Sequence, residues 1–308
     1  MRSLSGAAAR DVVKERGRRT LRRDQLAGAH PQLEQVSPAI GRLDENAFHD
    51  LLRSDADAAI ALLADLGAAT DPQLRVQARR LAARLFVRSG RLGPSTRRGY
   101  RRLSPGKAGG EGDLDLDLSL EVAGGRPKHA DQLIARRWTA PQRAVCLLVD
   151  HSGSMRGHGV GMAAMAASAV VLNRSERVST SVIAFAADAL VLQGQGERRP
   201  PSALVDDLLS LRGKGRTDLA LALRTAAREL GREPAAERLA IVLSDCRATA
   251  GDDPLTALAG FDRVDVLGTD ADPEAVAAGR RLASRARGRF ISATAFRELE
   301  TGLLRLLA

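Results

Sequence analysis

Five side chains that carry oxygen atoms have the types and the spacing to bind a metal ion. Asp150, Ser152 and Ser154 form the motif Asp-x-Ser-x-Ser, and Thr217 and Asp245 follow further along the chain. Carboxylates and hydroxyls, without a matching set of thiols or imidazoles, are hard ligands that favour Mg²⁺, Mn²⁺ or Ca²⁺ over Zn²⁺ or copper. We expect these side chains to bind a divalent cation, Mg²⁺ (or Mn²⁺/Ca²⁺), with one coordination position left open.

The elements that would position these side chains follow from the hydrophobic pattern after residue 142. Short apolar runs alternate there with amphipathic stretches of helical spacing, which predicts βαβ units and an α/β domain with a doubly wound, mostly parallel sheet covered on both faces. Only the second and third runs are close enough to pair as a hairpin. The predicted strands are 144–149, 178–185, 189–192, 239–243, 264–267 and 289–291, and the predicted helices are 160–174, 201–211, 218–231, 252–260, 273–286 and 295–307.

The candidate ligands fall where such a sheet binds its ligands. Asp150 directly follows the first predicted strand and Asp245 follows the fourth, while Thr217 stands in a glycine-bearing loop that leads into a helix. Doubly wound sheets bind ligands at the carboxyl ends of their strands, at the point where the strand order reverses. The sequence therefore predicts the functional site at that edge.

The same five residues resemble the metal-ion-dependent adhesion site (MIDAS) of the von Willebrand factor A (VWA) family, whose pattern is D-x-S-x-S, then T, then D. The resemblance covers residues 142–308 and implies the Rossmann-like VWA fold. It implies that Ser152, Ser154 and Thr217 coordinate the metal directly or nearly so, and that Asp150 and Asp245 largely hold coordinating waters. It also implies that a Glu or Asp of a protein partner takes the open position, and we hypothesise that this ligation is coupled to movement of the last helix.

Within the VWA family the chain resembles the intracellular bacterial proteins related to the magnesium-chelatase D subunit and the CoxE-like accessory proteins of carbon monoxide dehydrogenase. These proteins work with MoxR-type AAA+ ATPases. The shared features are a C-terminal VWA domain, a basic helical region ahead of it and an acidic segment before the first strand. The chain has no GxxxxGK[ST] motif, so ATP hydrolysis would belong to a partner. The resemblance implies a non-catalytic partner of a MoxR-type AAA+ ATPase or of its client.

Two further regions are predicted ahead of residue 142. Apolar residues with helical spacing indicate a basic helical region over 1–92, and clustered Gly, Pro and Arg indicate a linker over 93–141. Within that linker, Asp113–Glu121 alternates acid and leucine with the period of a strand. We interpret this segment as an edge strand that its exposed aspartates protect from pairing, with an acidic-ligand role as the alternative.

The charge distribution leaves a second class of function open. The net charge is +10, and residues 1–110 hold 21 basic and 11 acidic residues, a balance of +10. Arginine clusters at 16–23 and 97–102 suggest nucleic-acid binding as an alternative, but few aromatic residues are interleaved with them, so stacking on bases is poorly supported and we do not expect nucleic acid as the partner. A metal-dependent hydrolase with His151 or His158 as general base is a further alternative, for which no nucleophile is evident.

The cysteine content and the hydropathy lead us to expect a cytoplasmic protein. Cys146 and Cys246 are too few for a disulfide framework or a cysteine metal site, so both thiols are expected to be reduced. No apolar run approaches the length of about 20 residues that a membrane-spanning helix needs, and the N-terminal residues do not resemble a signal peptide.

Overall fold

The protein was analysed as a computed structural model, which describes residues 2–18, 20–89, 102–108, 112–139, 142–153, 158–172, 174–175, 177–211 and 215–307. The chain divides into two compact units, Met1–Ser95 together with Arg143–Ala308, and Thr96–Gln142. Each unit has its own sheet. The strands, numbered in chain order, are β1 (Ser3–Leu4), β2 (Arg102–Lys107), β3 (Asp113–Leu114), β4 (Ile134–Thr139), β5 (Arg143–Asp150), β6 (Val178–Phe185), β7 (Ala189–Gln193), β8 (Glu237–Ser244), β9 (Arg263–Gly268) and β10 (Phe290–Ser292).

Helices account for most of the N-terminal region and cover both faces of the larger sheet, and one short helix, Leu116–Val122, belongs to the smaller unit. They are α1 (Gly6–Arg16), α2 (Arg23–Ala29), α3 (Leu33–Val36), α4 (Glu45–Ser54), α5 (Ala56–Leu66), α6 (Pro72–Ser89), α7 (Leu116–Val122), α8 (His158–Leu172), α9 (Pro201–Ser210), α10 (Leu219–Leu230), α11 (Pro273–Arg285) and α12 (Phe296–Leu307). The helix predicted over 252–260 is reduced to a single 3₁₀ turn, Pro254–Ala257. Pro254 suits the first position of such a turn, and the residue before a proline avoids helical geometry, so the turn begins at Pro254 and not at the predicted residue 252.

The larger sheet confirms the predicted fold class. Its seven strands have the order β1-β7-β6-β5-β8-β9-β10, with helices on both faces. Every neighbouring pair is parallel except β6 and β7, which form the predicted antiparallel hairpin. After β5 the chain first builds strands on one side of β5 and then, from β8, on the other. The strand order therefore reverses at β5, and the crevice that binds ligands in such sheets lies at its carboxyl end.

The apolar runs become central strands because both of their faces are buried. In β5 seven of the eight residues are buried, and alternate side chains enter two different cores. Val145, Leu147 and Val149 point to the side of α8 and α9, while Cys146 and Leu148 point to the side of α10. Both cysteines are buried and free. A strand buried on both faces reads as a continuous apolar run, which explains why β5 was recognisable from the sequence.

The N-terminal helices extend the core of the sheet, which corrects the division into a separate helical region at 1–92 and a domain at 142–308. Side chains of α5 and α6 and side chains of α8 belong to one hydrophobic cluster with one face of the sheet. Twelve of the fifteen residues of α8 are buried, because the sheet covers one side of α8 and the N-terminal helices cover the other. β1 also joins the sheet beside β7, and its two residues carried no strand pattern in the sequence.

The segment predicted as a linker at 93–141 is folded where the structure describes it. β2 and β3 pair with β4 in an antiparallel sheet, and α7 packs against β4. The edge strand predicted over 113–121 is wrong, because only Asp113 and Leu114 are extended and a helix follows. Asp115 accepts a hydrogen bond from the backbone N–H of Leu118 and so caps α7. An aspartate at this position stabilises a helix N-terminus, and here that local interaction prevailed over the alternation.

In the part of the chain that the structure describes, no helix has the length and apolar character needed to cross a bilayer.

Gly161 permits the close approach of α5 to α8. A Cβ atom at this position would lie 2.2 Å from Cγ2 of Ile60. We expect Gly161→Ala to lower the free energy of unfolding by about 1–3 kcal/mol through overpacking, measured by chemical denaturation. The control is Gly28→Ala in α2, where a Cβ would meet no atom within 4 Å. That variant should be neutral or stabilising by up to about 1 kcal/mol. Equal effects of the two substitutions would contradict the packing of α5 on α8.

Candidate metal site at the carboxyl edge of the sheet

Asp150 ends the central strand and is held by its neighbours on two strands. Its side chain is 1% exposed. Oδ1 accepts a hydrogen bond of 2.8 Å from the backbone N–H of Ser152, and Oδ2 accepts one of 2.6 Å from Oγ of Ser244. Val149 pairs with Leu243 in the parallel register, so the next residues, Asp150 and Ser244, stand side by side. The carboxylate is therefore fixed in place from both β5 and β8.

Asp245 follows β8 at a point where the backbone turns sharply. Cys246 has φ of +59°, in the left-handed region that residues other than glycine rarely adopt. The Cys246 N–H donates to Oγ of Ser244, and Oδ1 of Asp245 accepts from the N–H of Arg247. Such strain costs of order 1–3 kcal/mol and concentrates at functional sites. Here the strained residue Cys246 turns the chain immediately after Asp245. Asp245 itself is 8% exposed.

Thr217 reaches the same place from the loop before α10. Its backbone N–H donates to Oγ1 of Thr249 at 2.8 Å, and its carbonyl accepts from the N–H groups of Thr249 and Ala250. The next residue, Asp218, caps α10 by accepting from the N–H of Leu221. The loop that carries Thr217 is therefore bonded to the loop that follows Asp245, and Thr217 is 4% exposed.

Three loops consequently meet at the carboxyl ends of β5 and β8. Ser152, which is 2% exposed, follows Asp150, and a Cβ on Gly153 would lie 4.0 Å from the carbonyl oxygen of Gly215. The structure thus brings Asp150, Ser152, Thr217 and Asp245 to one edge of the sheet. The fifth predicted ligand, Ser154, lies outside the described residues.

The electrostatics of this edge suit a cation. Burial raises the pKa of Asp150 to about 6, hydrogen bonds from Ser244 and Ser152 oppose that rise, and the nearby charge of Asp245 adds to it. A buried carboxylate beside a second one is costly to ionise without a compensating positive charge. The donors are all oxygen atoms, which fits Mg²⁺, Mn²⁺ or Ca²⁺. Among the described residues no three His, Cys, Asp or Glu side chains gather as a metal site, so any cation here depends on the hydroxyls as well as on the two carboxylates.

The two histidines next to the motif are engaged elsewhere. Nε2 of His151 lies 3.1 Å from Nη1 of Arg16, and burial, followed by the charge of Arg16, lowers the pKa of His151 to about 4. Nε2 of His158 donates to Oδ1 of Asp57 at 2.7 Å. A general base must reach the proton that it removes, and each of these rings is directed to a side chain of the N-terminal helices.

A cavity of about 590 Å³ adjoins the site. The loop after Asp245 forms one wall and α11 forms the other. Its lining is mixed, with apolar side chains such as Leu219, Leu255 and Leu282 and charged ones such as Arg247 and Arg281. The site therefore opens next to a surface recess large enough to receive side chains of another molecule.

Ser244 and Thr249 are functional neighbours that the sequence analysis missed. Ser244 bonds to Asp150 and Thr249 bonds to Thr217, so both hold a predicted ligand in place. The signal for Ser244 was its position at the end of the strand beside Asp245. Thr249 carried no signal, because its contact with Thr217 joins two loops that are distant in the sequence.

Ser244 offers a direct test of this arrangement. Ser244→Ala removes a donor to a buried carboxylate and an acceptor for the Cys246 N–H, so we expect the free energy of unfolding to fall by about 1–3 kcal/mol in denaturant titrations. The control is Ser168→Ala, since Oγ of Ser168 is buried and has no hydrogen-bond partner among the described residues. That substitution should be neutral or slightly stabilising. A neutral Ser244→Ala would show that Asp150 does not depend on this bond.

Comparison with known proteins finds a family match in the residues that form this edge of the sheet. Residues 145–248 match a family model described as the von Willebrand factor type A domain. These residues run from β5 through the loop after β8, and they include all five predicted ligands. No curated protein matches the chain.

Three solved structures are similar at low identity. A von Willebrand factor type A protein from Catenulispora acidiphila is 20% identical over 57% of this chain and 44% of its own, with a TM-score of 0.46. The D319A mutant of the PilB minor pilin from Streptococcus sanguinis is 14% identical over 57% of this chain and 64% of its own, with a TM-score of 0.46. An aerotolerance-related membrane protein from Bacteroides fragilis is 20% identical over 54% of this chain and 98% of its own, with a TM-score of 0.43.

This chain spans less than two thirds of the length of the first two structures. The fold is established by the strand order and by the family model rather than by these distant similarities. The doubly wound sheet, the reversal of strand order at β5 and the match over residues 145–248 lead to one conclusion. Residues 145–248 match the von Willebrand factor type A domain, and the sheet that contains them has a VWA-like fold.

Proposed function

We propose that this chain is a divalent-cation-dependent protein-interaction module whose metal binds an acidic side chain of a protein partner. VWA domains are, in general, non-catalytic interaction modules. The observation that carries the proposal is the convergence of Asp150, Ser152, Thr217 and Asp245 on one edge of the sheet, with Asp150 held by Ser244. In this proposal Ser152, Ser154 and Thr217 bind the metal directly or nearly so, and the two aspartates largely hold its waters.

The site has few charges for a divalent cation, and this matters for its role. Two carboxylates and neutral hydroxyls leave a bound Mg²⁺ short of strong ligands, because Mg²⁺ keeps waters where protein ligands are lacking. A carboxylate from another molecule can replace one of these waters. The cavity beside the loop after Asp245 offers room for neighbouring side chains of that molecule. Both features support recognition of an acidic segment on a partner surface.

We further propose that the partner is a MoxR-type AAA+ ATPase or its client. The resemblance of the sequence to the magnesium-chelatase D subunit and to CoxE-like proteins supports this choice of partner. The expected cytoplasmic location stays a prediction. This part of the proposal is tested by copurification of the chain with a candidate MoxR-type ATPase in Mg²⁺ and in EDTA. Equal recovery in the two buffers would contradict a metal-dependent contact.

The alternative functions have less support. Arg16 contacts His151, Arg22 pairs with Asp24 and Arg23 bonds to Ser37, so these arginines of the first basic cluster are bound within the chain. Most of the second cluster, including Arg97, Arg98 and Arg101, lies outside the described residues. The hydrolase alternative needs a free base, whereas His151 and His158 bind Arg16 and Asp57.

Metal binding by the purified chain is the first test. We expect Mg²⁺ titrated in a calorimeter to bind one site, and Thr217→Ala to weaken the affinity by about 10- to 100-fold or more, a range typical of losing even an outer-shell partner. Thr225→Ala is the matched control. Thr225 is also a buried threonine, but its Oγ1 donates to the carbonyl of Leu221 within α10. The absence of any Mg²⁺ or Mn²⁺ uptake by the unmodified chain would disprove the proposal.

The open coordination position has its own test. With Mn²⁺ bound, the relaxation rate of water protons reports the waters that remain on the metal. We expect the α-amide of N-acetylglutamate, whose only carboxylate is in the side chain, to lower that rate at millimolar concentration by displacing a water, and the α-amide of N-acetylglutamine, which has no carboxylate, to leave it unchanged. An identical response to the two compounds would mean that the metal recruits no foreign carboxylate.

A further inference from the structure

Two side chains of the N-terminal helices bind His151, which lies inside the motif between Asp150 and Ser152, and His158, which follows the motif. Nη1 of Arg16, the last residue of α1, lies 3.1 Å from Nε2 of His151. Asp57, in the first turn of α5, accepts a hydrogen bond of 2.7 Å from Nε2 of His158. His151 directly precedes Ser152, and His158 begins α8. Helices that lie outside residues 145–248, the range of the family model, therefore contact His151 inside the motif and the start of α8 after it.

The contact at His151 is buried, and Nη1 of Arg16 lies within hydrogen-bond distance of both ring nitrogens. His151 is 3% exposed, and its backbone N–H donates to the carbonyl of Phe185. Arg16 is a donor only, so the facing ring nitrogen of His151 accepts the hydrogen bond and the imidazole is neutral. The ring is thus held by its backbone on one side and by a guanidinium on the other, which limits the positions available to Ser152.

The contact at His158 joins three elements. The same Oδ1 of Asp57 that accepts from His158 also accepts a hydrogen bond of 2.8 Å from the backbone N–H of Phe296, the first residue of α12. One carboxylate oxygen therefore links the start of α8 to the start of α12. Helix N-termini attract negative charge, because their first N–H groups lack partners within the helix.

The packing around these contacts makes them stiff. α5 lies directly on α8, and Gly161 leaves no space between this helix and Ile60. Core packing therefore fixes the backbone of α5 relative to α8, so Asp57 keeps its position relative to His158. Outer contacts of this kind orient the ligands of metal sites in proteins.

We propose that Arg16 and Asp57 are positioning residues of the metal site: Arg16 holds His151, which stands between Asp150 and Ser152, and Asp57 holds the start of α8. The proposal rests on the proposed function. It gives the N-terminal helices a role in metal affinity in addition to their part in the hydrophobic core. Metal binding then depends on residues of the N-terminal helices as well as on residues 150–245.

The test measures Mn²⁺ affinity of the full chain from the electron paramagnetic resonance signal of free Mn²⁺. We expect Arg16→Ala and Asp57→Ala each to weaken Mn²⁺ binding by about tenfold or more. We expect Asp57→Ala combined with His158→Ala to be no weaker than Asp57→Ala alone, because the two substitutions remove the same contact. Arg16→Lys, which keeps a donor, should restore part of the loss.

Matched controls separate positioning from stability. Asp55→Ala removes the side chain that caps α5 by accepting from the N–H of Ala58; Asp55 lies two positions from Asp57 and, among the described residues, makes no hydrogen bond to α8 or α12. Lys14→Ala changes an exposed residue in the last turn of α1. We expect Asp55→Ala to lower the thermal midpoint while Mn²⁺ affinity stays unchanged, and Lys14→Ala to change neither. If Asp57→Ala does not fold, Asp57→Asn and His158→Gln supply the same comparison.

The outcomes are distinct. Wild-type Mn²⁺ binding that Arg16→Ala and Asp57→Ala leave unchanged would overturn the positioning role and leave the proposed function standing. If Asp55→Ala lowered Mn²⁺ affinity as much as Arg16→Ala and Asp57→Ala do, the loss of affinity would reflect reduced stability of the fold. That result would also overturn the positioning role. No Mn²⁺ binding by the wild-type chain would reject the proposed function and this inference together.

Discussion

The structure of the site depends on burying two carboxylates side by side at the end of a parallel sheet. Asp150 is almost fully buried and lies near Asp245, and the strand register places Ser244 against Asp150. Two negative charges in such a place repel each other and lose the stabilisation of water. The chain compensates with hydrogen bonds from Ser244 and from the backbone of Ser152, and a cation would complete that compensation. A site that is incomplete without a positive charge is well suited to metal-dependent recognition.

The N-terminal helices explain why the domain is larger than the segment that matches the family model. α8 is apolar on nearly all sides, and a helix of that kind must be covered all round. The sheet covers one side, and α5 and α6 cover much of the rest, so the chain before residue 96 belongs to the same compact unit as the sheet. This arrangement brings Arg16 and Asp57 to the histidines beside the motif. The N-terminal helices therefore both cover the core and contact the histidines near the metal site.

Predictions from the sequence succeeded where one local pattern dominated and failed where two patterns competed. The apolar runs at β5, β6 and β8 allow little besides a buried strand, and their observed bounds lie within two residues of the predicted ones. The acid-leucine segment at 113–121 fits both a strand and a short helix. The alternation indicated the strand, but Asp115 capped a helix instead. The two-residue strand β1 had too little pattern to be recognised at all.

The sequence alone predicted the α/β class, the strands β5 to β10 in their order along the chain, and the candidate ligands, four of which the structure describes at one edge of the sheet. It could do so because strand periodicity and the spacing of the motif are local properties. Tertiary structure alone decided that the helices α1 to α6 share the core of the sheet, that Ser244 and Thr249 support the site, and that Arg16 and Asp57 contact His151 and His158. These contacts join residues that are as many as 135 positions apart. No local pattern records such pairs, because only the packing of helices on the sheet brings them together.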